Sequence, residues 1–145
     1  MPIDQLQTFF GNHAMLCLGI VGVTIALIGN ELSRFTRGYR AISPHQLTAL
    51  INRDNALVVD VSATPDFEKG HVVGSRSVVM SQFDPENKQL AKVRELPVAV
   101  VCRNGTTSAI AAKRLVKAGF KNVHWLDGGV AAWQSADLPL ARGKN

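Results

Sequence analysis

The chain has 145 residues, 46% of them hydrophobic and 19% charged, with a formal net charge of +5; that suits one ordinary domain plus an appendage. The basic excess is scattered and no basic–aromatic stripe accompanies it, so nucleic-acid binding is not expected. Cys17, in an apolar run, and Cys102, in the polar remainder, make no disulfide framework; no His/Cys cluster has metal-ligand spacing, so neither metal nor cofactor is expected.

Residues 1–8 read as a short N-terminal tail. Residues 14–29, AMLCLGIVGVTIALIG, are sixteen in a row with only Thr24 polar, and extension back to Phe9 gives twenty-one that include Asn12 and His13. At ~1.5 Å per residue the longer segment spans roughly 31 Å, matching a bilayer core of about 30 Å. Residues 9–29 are therefore predicted to form a transmembrane helix. A cleaved signal peptide would want a positive start and a small-x-small site; the start MPIDQLQTFF has Asp4 and no Lys or Arg, and no Ala-x-Ala follows the run. Gly22 and Ala26 form a small-xxx-small pair that suits contact with a second membrane helix. Residues 30–41 read as a basic juxtamembrane linker carrying Arg34, Arg37 and Arg40. That asymmetry puts the arginine side in the cytoplasm and the amino terminus outside, and a free Cys102 fits the reducing compartment that follows.

Residues 42–140 read as one α/β domain and residues 141–145 as a polar tail. Ser43, Pro44 and Gln46 form a capping box that opens a helix with Leu47, Leu50 and Ile51 on its buried face. ALVVDV, residues 56–61, follows as a buried strand. Thr64-Pro65 opens a short helix by the same capping logic, anchored by Phe67. A turn-rich passage at 70–74 precedes a short strand at 77–80 and a helix at 84–93. Val98–Val101 is a second apolar strand and residues 106–118 a helix, with Ala112, Leu115, Val116 and Gly119 at i, i+3, i+4, i+7. A strand at 122–126, the turn Asp127-Gly128-Gly129 and a short helix at 130–135 complete the pattern. Strands that alternate with helices, two of them apolar throughout, predict a mostly parallel sheet covered on both faces.

Cys102 falls where the strand ends and the next helix begins, the place where open α/β sheets hold ligands. Backbone N–H groups of residues 104–108 can converge there, and the helix end adds roughly half a positive charge. Such a setting favours the anionic, nucleophilic form of a thiol.

Four stretches in this order resemble the rhodanese (sulfurtransferase) family. Val58-Val59-Asp60-Val61 looks like its first strand ending in Asp. Residues 67–75, FEKGHVVGS, look like its EF-x-x-GHI-x-GA segment. Residues 102–108, CRNGTTS, followed by Ala111, Ala112 and Leu115, look like its active-site loop and helix. Gly119-Phe120, Leu126-Asp127-Gly128-Gly129 and Trp133 look like its GF…L-x-GG-x-x-x-W ending. With the leading span, the chain resembles bacterial rhodanese-like proteins anchored in the inner (plasma) membrane by one helix.

The resemblance implies a three-layer α/β domain with a mostly parallel central sheet. It also implies sulfur transfer in two nucleophilic steps, in which Cys102 takes a sulfane sulfur from a donor and passes it to a thiol or other nucleophile. Arg103, Asn104, Gly105, Thr106, Thr107 and Ser108 would bind the substrate and Asp60 would fix the loop, with His71 holding a turn. The expected partners are a sulfur donor, a thiol acceptor, the lipid bilayer through residues 9–29 and a membrane protein. Two positions depart from the family pattern: Thr107 and Ser62 stand where an Arg is common. The first weakens the expectation of thiosulfate as donor and leaves open a non-catalytic module that tethers partners at the cytoplasmic face. A phosphatase loop would need Arg six residues after Cys102, where Ser108 stands.

Overall fold

The computed structural model describes residues 3–144 and divides into two compact units at Arg37/Gly38. The first unit is helical: α1 covers Ile3–Asn12 and α2 covers Ala14–Thr36. Of the predicted tail at 1–8, residues 3–8 are thus helical and the first two lie outside the described residues. The predicted span at 9–29 is divided, because His13 leaves the helical conformation (φ −123°, ψ 32°) and separates the two helices. The helix α2 is long and apolar enough to cross a membrane, with a mean hydropathy of 1.9. None of its residues is buried in protein.

The second unit begins with β1, Tyr39–Ile42, then α3, Pro44–Asp54, and β2, Leu57–Asp60. After these come α4, Thr64–Lys69, β3, His71–Val72, β4, Arg76–Ser77, and a 3-10 turn at Met80–Gln82. The chain continues through α5, Lys88–Ala91, β5, Val98–Val101, α6, Thr106–Lys117, β6, Val123–Leu126, α7, Gly129–Ser135, and β7, Leu140–Ala141. The main sheet has the order β1-β6-β5-β2-β4 and every pair in it is parallel; β3 and β7 form a small antiparallel pair.

The central strand β5 is buried on both faces. Val98, Val100 and Cys102 pack with Ala111, Ala112 and Leu115 of α6. Ala99 and Val101 pack with Leu47 of α3 and with Val130 and Trp133 of α7. This gives the helix–sheet–helix layering that strands with apolar residues on both faces require.

Local chemistry accounts for the element ends that were anticipated. Ser43 Oγ accepts from Gln46 N at 3.3 Å while Gln46 Oε1 accepts from Ser43 N at 2.9 Å, so α3 opens on a complete capping box. At the end of α6, Gly119 N donates to Val116 O (3.1 Å) and Phe120 N to Leu115 O (3.2 Å), a Schellman closure with Gly119 at φ +92°.

Other expectations are corrected. The linker at 30–41 is helix through Thr36 and strand from Tyr39, so Arg40 lies in β1 opposite His124 of β6. Thr64 lies inside α4 rather than capping it; Ala63 holds the cap position and no side chain caps there. The strand expected at 77–80 is only Arg76–Ser77, and the helix at 84–93 shortens to Lys88–Ala91, capped by Asn87. The tail is held: Ala141 pairs with His71, Gly143 N donates to Glu68 O at 2.8 Å, and Lys144 meets Glu68 at 3.8 Å. Asn145 lies outside the described residues.

His124 is half-buried on β6. A ring nitrogen, Nε2, meets Asn122 Oδ1 at 2.7 Å, while Nδ1 is buried with no hydrogen-bond partner among the described residues. Burial, and then the Arg40 charge on the neighbouring strand, push its pKa below the ordinary 6.5. Between the folded value and 6.5 the unfolded chain holds more protons, so stability rises with pH up to 6.5 and is lost as pH falls below it. Urea-denaturation midpoints of the second unit are therefore expected to drop from pH 7.5 to pH 5.5, and to drop less in His124→Gln; equal drops would contradict this role for His124.

Candidate active site

Cys102 is the first residue after β5 and is 2% exposed. Its Sγ accepts two backbone N–H groups, Gly105 N at 3.0 Å and Ser108 N at 3.4 Å. Both belong to the start of α6, where Gly105 is the N-cap residue and Ser108 stands in the first turn. The first N–H groups of a helix have no intrahelical acceptor, and an oxygen-bearing cap side chain ordinarily supplies one. Gly105 has no side chain, and the sulfur takes that place. Ser108 Oγ lies 3.4 Å from Sγ and donates to Gly105 O at 2.9 Å. Asn104 Oδ1, at 3.8 Å from Sγ, accepts Thr106 N at 3.2 Å and so fixes the turn.

The loop also depends on its glycines. Gly105 has φ +93°, and a Cβ there would sit 3.1 Å from both Gly128 N and the Trp125 ring. The Gly128–Gly129 pair, read from sequence only as a turn, supports the loop from the other side. Both residues have positive φ, and a Cβ on Gly129 would collide with the backbone of Cys102 and Arg103. That approach lets Val130 N donate to Cys102 O (2.9 Å) and Ala131 N to Arg103 O (3.2 Å). The sequence signal was present in the doubled glycine before an apolar helix; its contact partner, more than twenty residues earlier, was not.

The residues expected to act together are only partly gathered at the sulfur. Cys102, Asn104, Gly105 and Ser108 surround it. Arg103 and Thr106 are exposed and Thr107 is half-buried, and no side-chain hydrogen bond or ion pair is made by these three among the described residues. Asp60 ends β2, beside Val101 in the ladder, and is 1% exposed. Its Oδ1 accepts Ser62 N at 2.8 Å, while Oδ2 has no hydrogen-bond partner among the described residues. Burial raises its pKa above 3.8, against the lowering effect of the Ser62 hydrogen bonds and of His71. His71 is buried, with Nδ1 2.8 Å from Phe67 O and its ring stacked on Phe67 at 3.7 Å, so it braces the turn after α4. A cleft of about 800 Å³ lined by Phe67, Arg76, Ser77 and Lys92 contains no residue of the 102–108 loop.

Comparison with known proteins places this geometry. A family model for the rhodanese-like domain matches residues 43–136. The chain is a member of the rhodanese-like family. The uncharacterized protein YibN of Escherichia coli K12 is 34% identical over 143 residues, which is 98% of this chain and all of YibN, so the likeness runs through the N-terminal helices. The thiosulfate sulfurtransferase GlpE of Pseudoalteromonas translucida is 30% identical over 98 residues, covering 68% of this chain and 91% of GlpE. The crystal structure of a rhodanese-related protein from Thermoplasma volcanium superposes with a TM-score of 0.61 at 25% identity, over 71% of this chain and 98% of that one. The α/β rhodanese fold with its parallel central sheet is thus shared.

The glycine contacts make a graded expectation for this domain. Gly129→Ala meets both left-handed strain and a backbone collision and is expected to cost on the order of 3 kcal/mol or more. Gly119→Ala meets strain alone, with nothing within 4 Å of the added methyl, and is expected to cost about 1–2 kcal/mol. Urea denaturation of both variants checks the order; equal losses would show that the contact with Cys102 and Arg103 is unimportant.

Proposed function

We propose that this rhodanese-like protein is a membrane-anchored sulfurtransferase or persulfide carrier with Cys102 as its catalytic residue. The observation that carries the reading is the pair of N–H groups, Gly105 and Ser108, aimed at Sγ. Donors fixed in advance on one atom favour negative charge on that atom. They suit a thiolate nucleophile, and equally the thiolate released at the end of the cycle.

In the first step the Cys102 thiolate attacks the sulfane sulfur of a donor. A new S–S bond forms, the donor's own bond to that sulfur breaks, and the leaving group departs with the electron pair (sulfite, when the donor is thiosulfate). In the second step an acceptor thiolate attacks the outer sulfur, and the Cys102 thiolate leaves with the electron pair of the S–S bond. The persulfide bond, ~2 Å long, carries the transferable atom beyond the buried Sγ. Exposed Arg103, Asn104 and Thr106 form the rim that donor and acceptor would meet. Thr107 places no cation where the family pattern has Arg, which leaves Arg103 as the cation of the loop, so a donor less dependent on charge than thiosulfate suits the site better. The GlpE likeness supports the reaction class.

The helix α2 supports an anchor in the bacterial inner membrane, and Arg34 and Arg37 at its carboxyl end support a cytoplasmic domain with the amino terminus outside. The same Thr107 favours the second reading, a tethering module in which Cys102 is dispensable.

Purified protein incubated with thiosulfate, or with a persulfide of a small thiol, is expected to gain roughly 32 Da on Cys102, removable by cyanide, and Cys102→Ser is expected to gain nothing. Failure of every donor to load Cys102 would sink sulfur transfer. Full rescue of a deletion strain by Cys102→Ser would establish the tethering role instead.

A further inference from the structure

The first unit holds a feature that the membrane-anchor reading leaves unused. In α1, Ile3, Leu6, Phe9 and Phe10 lie on one side, within an arc of roughly 120° at about 100° per residue. Asp4, Gln5, Thr8 and Asn12 lie on the opposite side. All four apolar residues are exposed, from 41% at Leu6 to 73% at Ile3. No residue of α1 is buried in protein.

The break at His13 decides where this face can lie. His13 is non-helical, and no side chain caps α2. Helical bonds reach into His13 from each side (His13 N to Phe9 O and Cys17 N to His13 O, both 3.0 Å), but the residue itself interrupts the helix. Helix ends leave backbone N–H and C=O groups without intrahelical partners. In hydrocarbon each such group costs several kcal/mol, whereas at the headgroup level water satisfies it. The junction also carries the polar side chains of Asn12 and His13. Both features put residues 12–13 at the membrane surface and start the hydrocarbon span at Ala14.

Length agrees with that boundary. From Ala14 to Asn30 the sequence has seventeen residues without a charge, at the short end of the ~17–25 residues that cross a bilayer. The twenty-one-residue span through Phe9 is therefore not needed. It would also drag the helix break into the hydrocarbon.

We propose that α1 is an interfacial helix that lies along the outer membrane surface, with Ile3, Leu6, Phe9 and Phe10 seated in the boundary between headgroups and acyl chains of the lipid. This rests on the reading that α2 spans the bilayer. The helix has an amphipathic face and only one charge, Asp4, so its attachment comes from apolar burial rather than from attraction to anionic lipid. It thereby fixes the depth of a short span, as flanking anchors do.

The test uses the full chain with Cys17→Ser and Cys102→Ser, reconstituted in phosphatidylcholine vesicles. Single cysteines carrying an environment-sensitive fluorophore replace Ile3, Thr8, Phe10 or Val23. Labels at Ile3 and Phe10 are expected to be quenched about two-fold more by a shallow lipid-bound nitroxide than by a deep one, with Val23 showing the reverse and Thr8 quenched by aqueous iodide. If Phe10 reports the deep position along with Val23, the helix runs straight through the break and the proposal is overturned. If Ile3 and Phe10 are as open to iodide as Thr8, α1 is a free tail and the proposal again fails, with the span intact. If Val23 itself is aqueous, the anchor reading falls first and the interfacial helix falls with it.

Discussion

The sulfur of Cys102 acts as the acceptor that α6 lacks. A helix beginning at a glycine N-cap has N–H groups and no side-chain oxygen to receive them; here Gly105 N and Ser108 N turn inward onto Sγ. The arrangement links fold and chemistry in one contact. The donors that satisfy the helix end are also those that favour negative charge on the sulfur. Burial of the sulfur at the end of β5, between the layers of the sheet, strengthens each of them by excluding water.

That contact holds only because the loop is pinned from two directions. From one side α6 reaches the sulfur. From the other, α7 sends Val130 N and Ala131 N to the carbonyls of Cys102 and Arg103. Gly105 and Gly129 let the two backbones approach, each with positive φ; an added methyl group would be tight at Gly105 and would collide with backbone at Gly129. Asp60, one strand away, is accommodated differently. Its buried carboxyl accepts the Ser62 N–H at Oδ1, and burial raises its pKa above the ordinary value.

What could be read from the sequence was what neighbours in the chain decide. The Ser43 capping box, the Gly119 closure of α6, the apolar β2 and β5 and the strand–turn–helix junction at Cys102 all involve residues a few positions apart. What could not be read depends on distant partners. The strand β1 has four residues, two of them exposed, and exists through its parallel register with β6. The pair β7, Leu140–Ala141, is a strand only because His71–Val72 lies beside it. The Gly129 contact joins residues that the chain keeps apart. At His13 the predicted span concealed a change in backbone conformation, since hydropathy reports composition and not φ and ψ.

The N-terminal unit and the rhodanese domain thus answer different physical demands. One carries α2, a helix long and apolar enough to cross a membrane; the other buries its own apolar strands and exposes the rim of the loop after β5. The central claim is that the Gly105 and Ser108 amides are aimed at the Cys102 sulfur and favour negative charge there whenever it carries no second sulfur. Amide proton shifts of the two residues, followed by NMR as Cys102 is loaded with sulfur and then stripped by cyanide, test it most directly. The account predicts that both resonances move on loading and return on stripping, ahead of all other amides in size. Loading of Cys102 with both amides unmoved would contradict it.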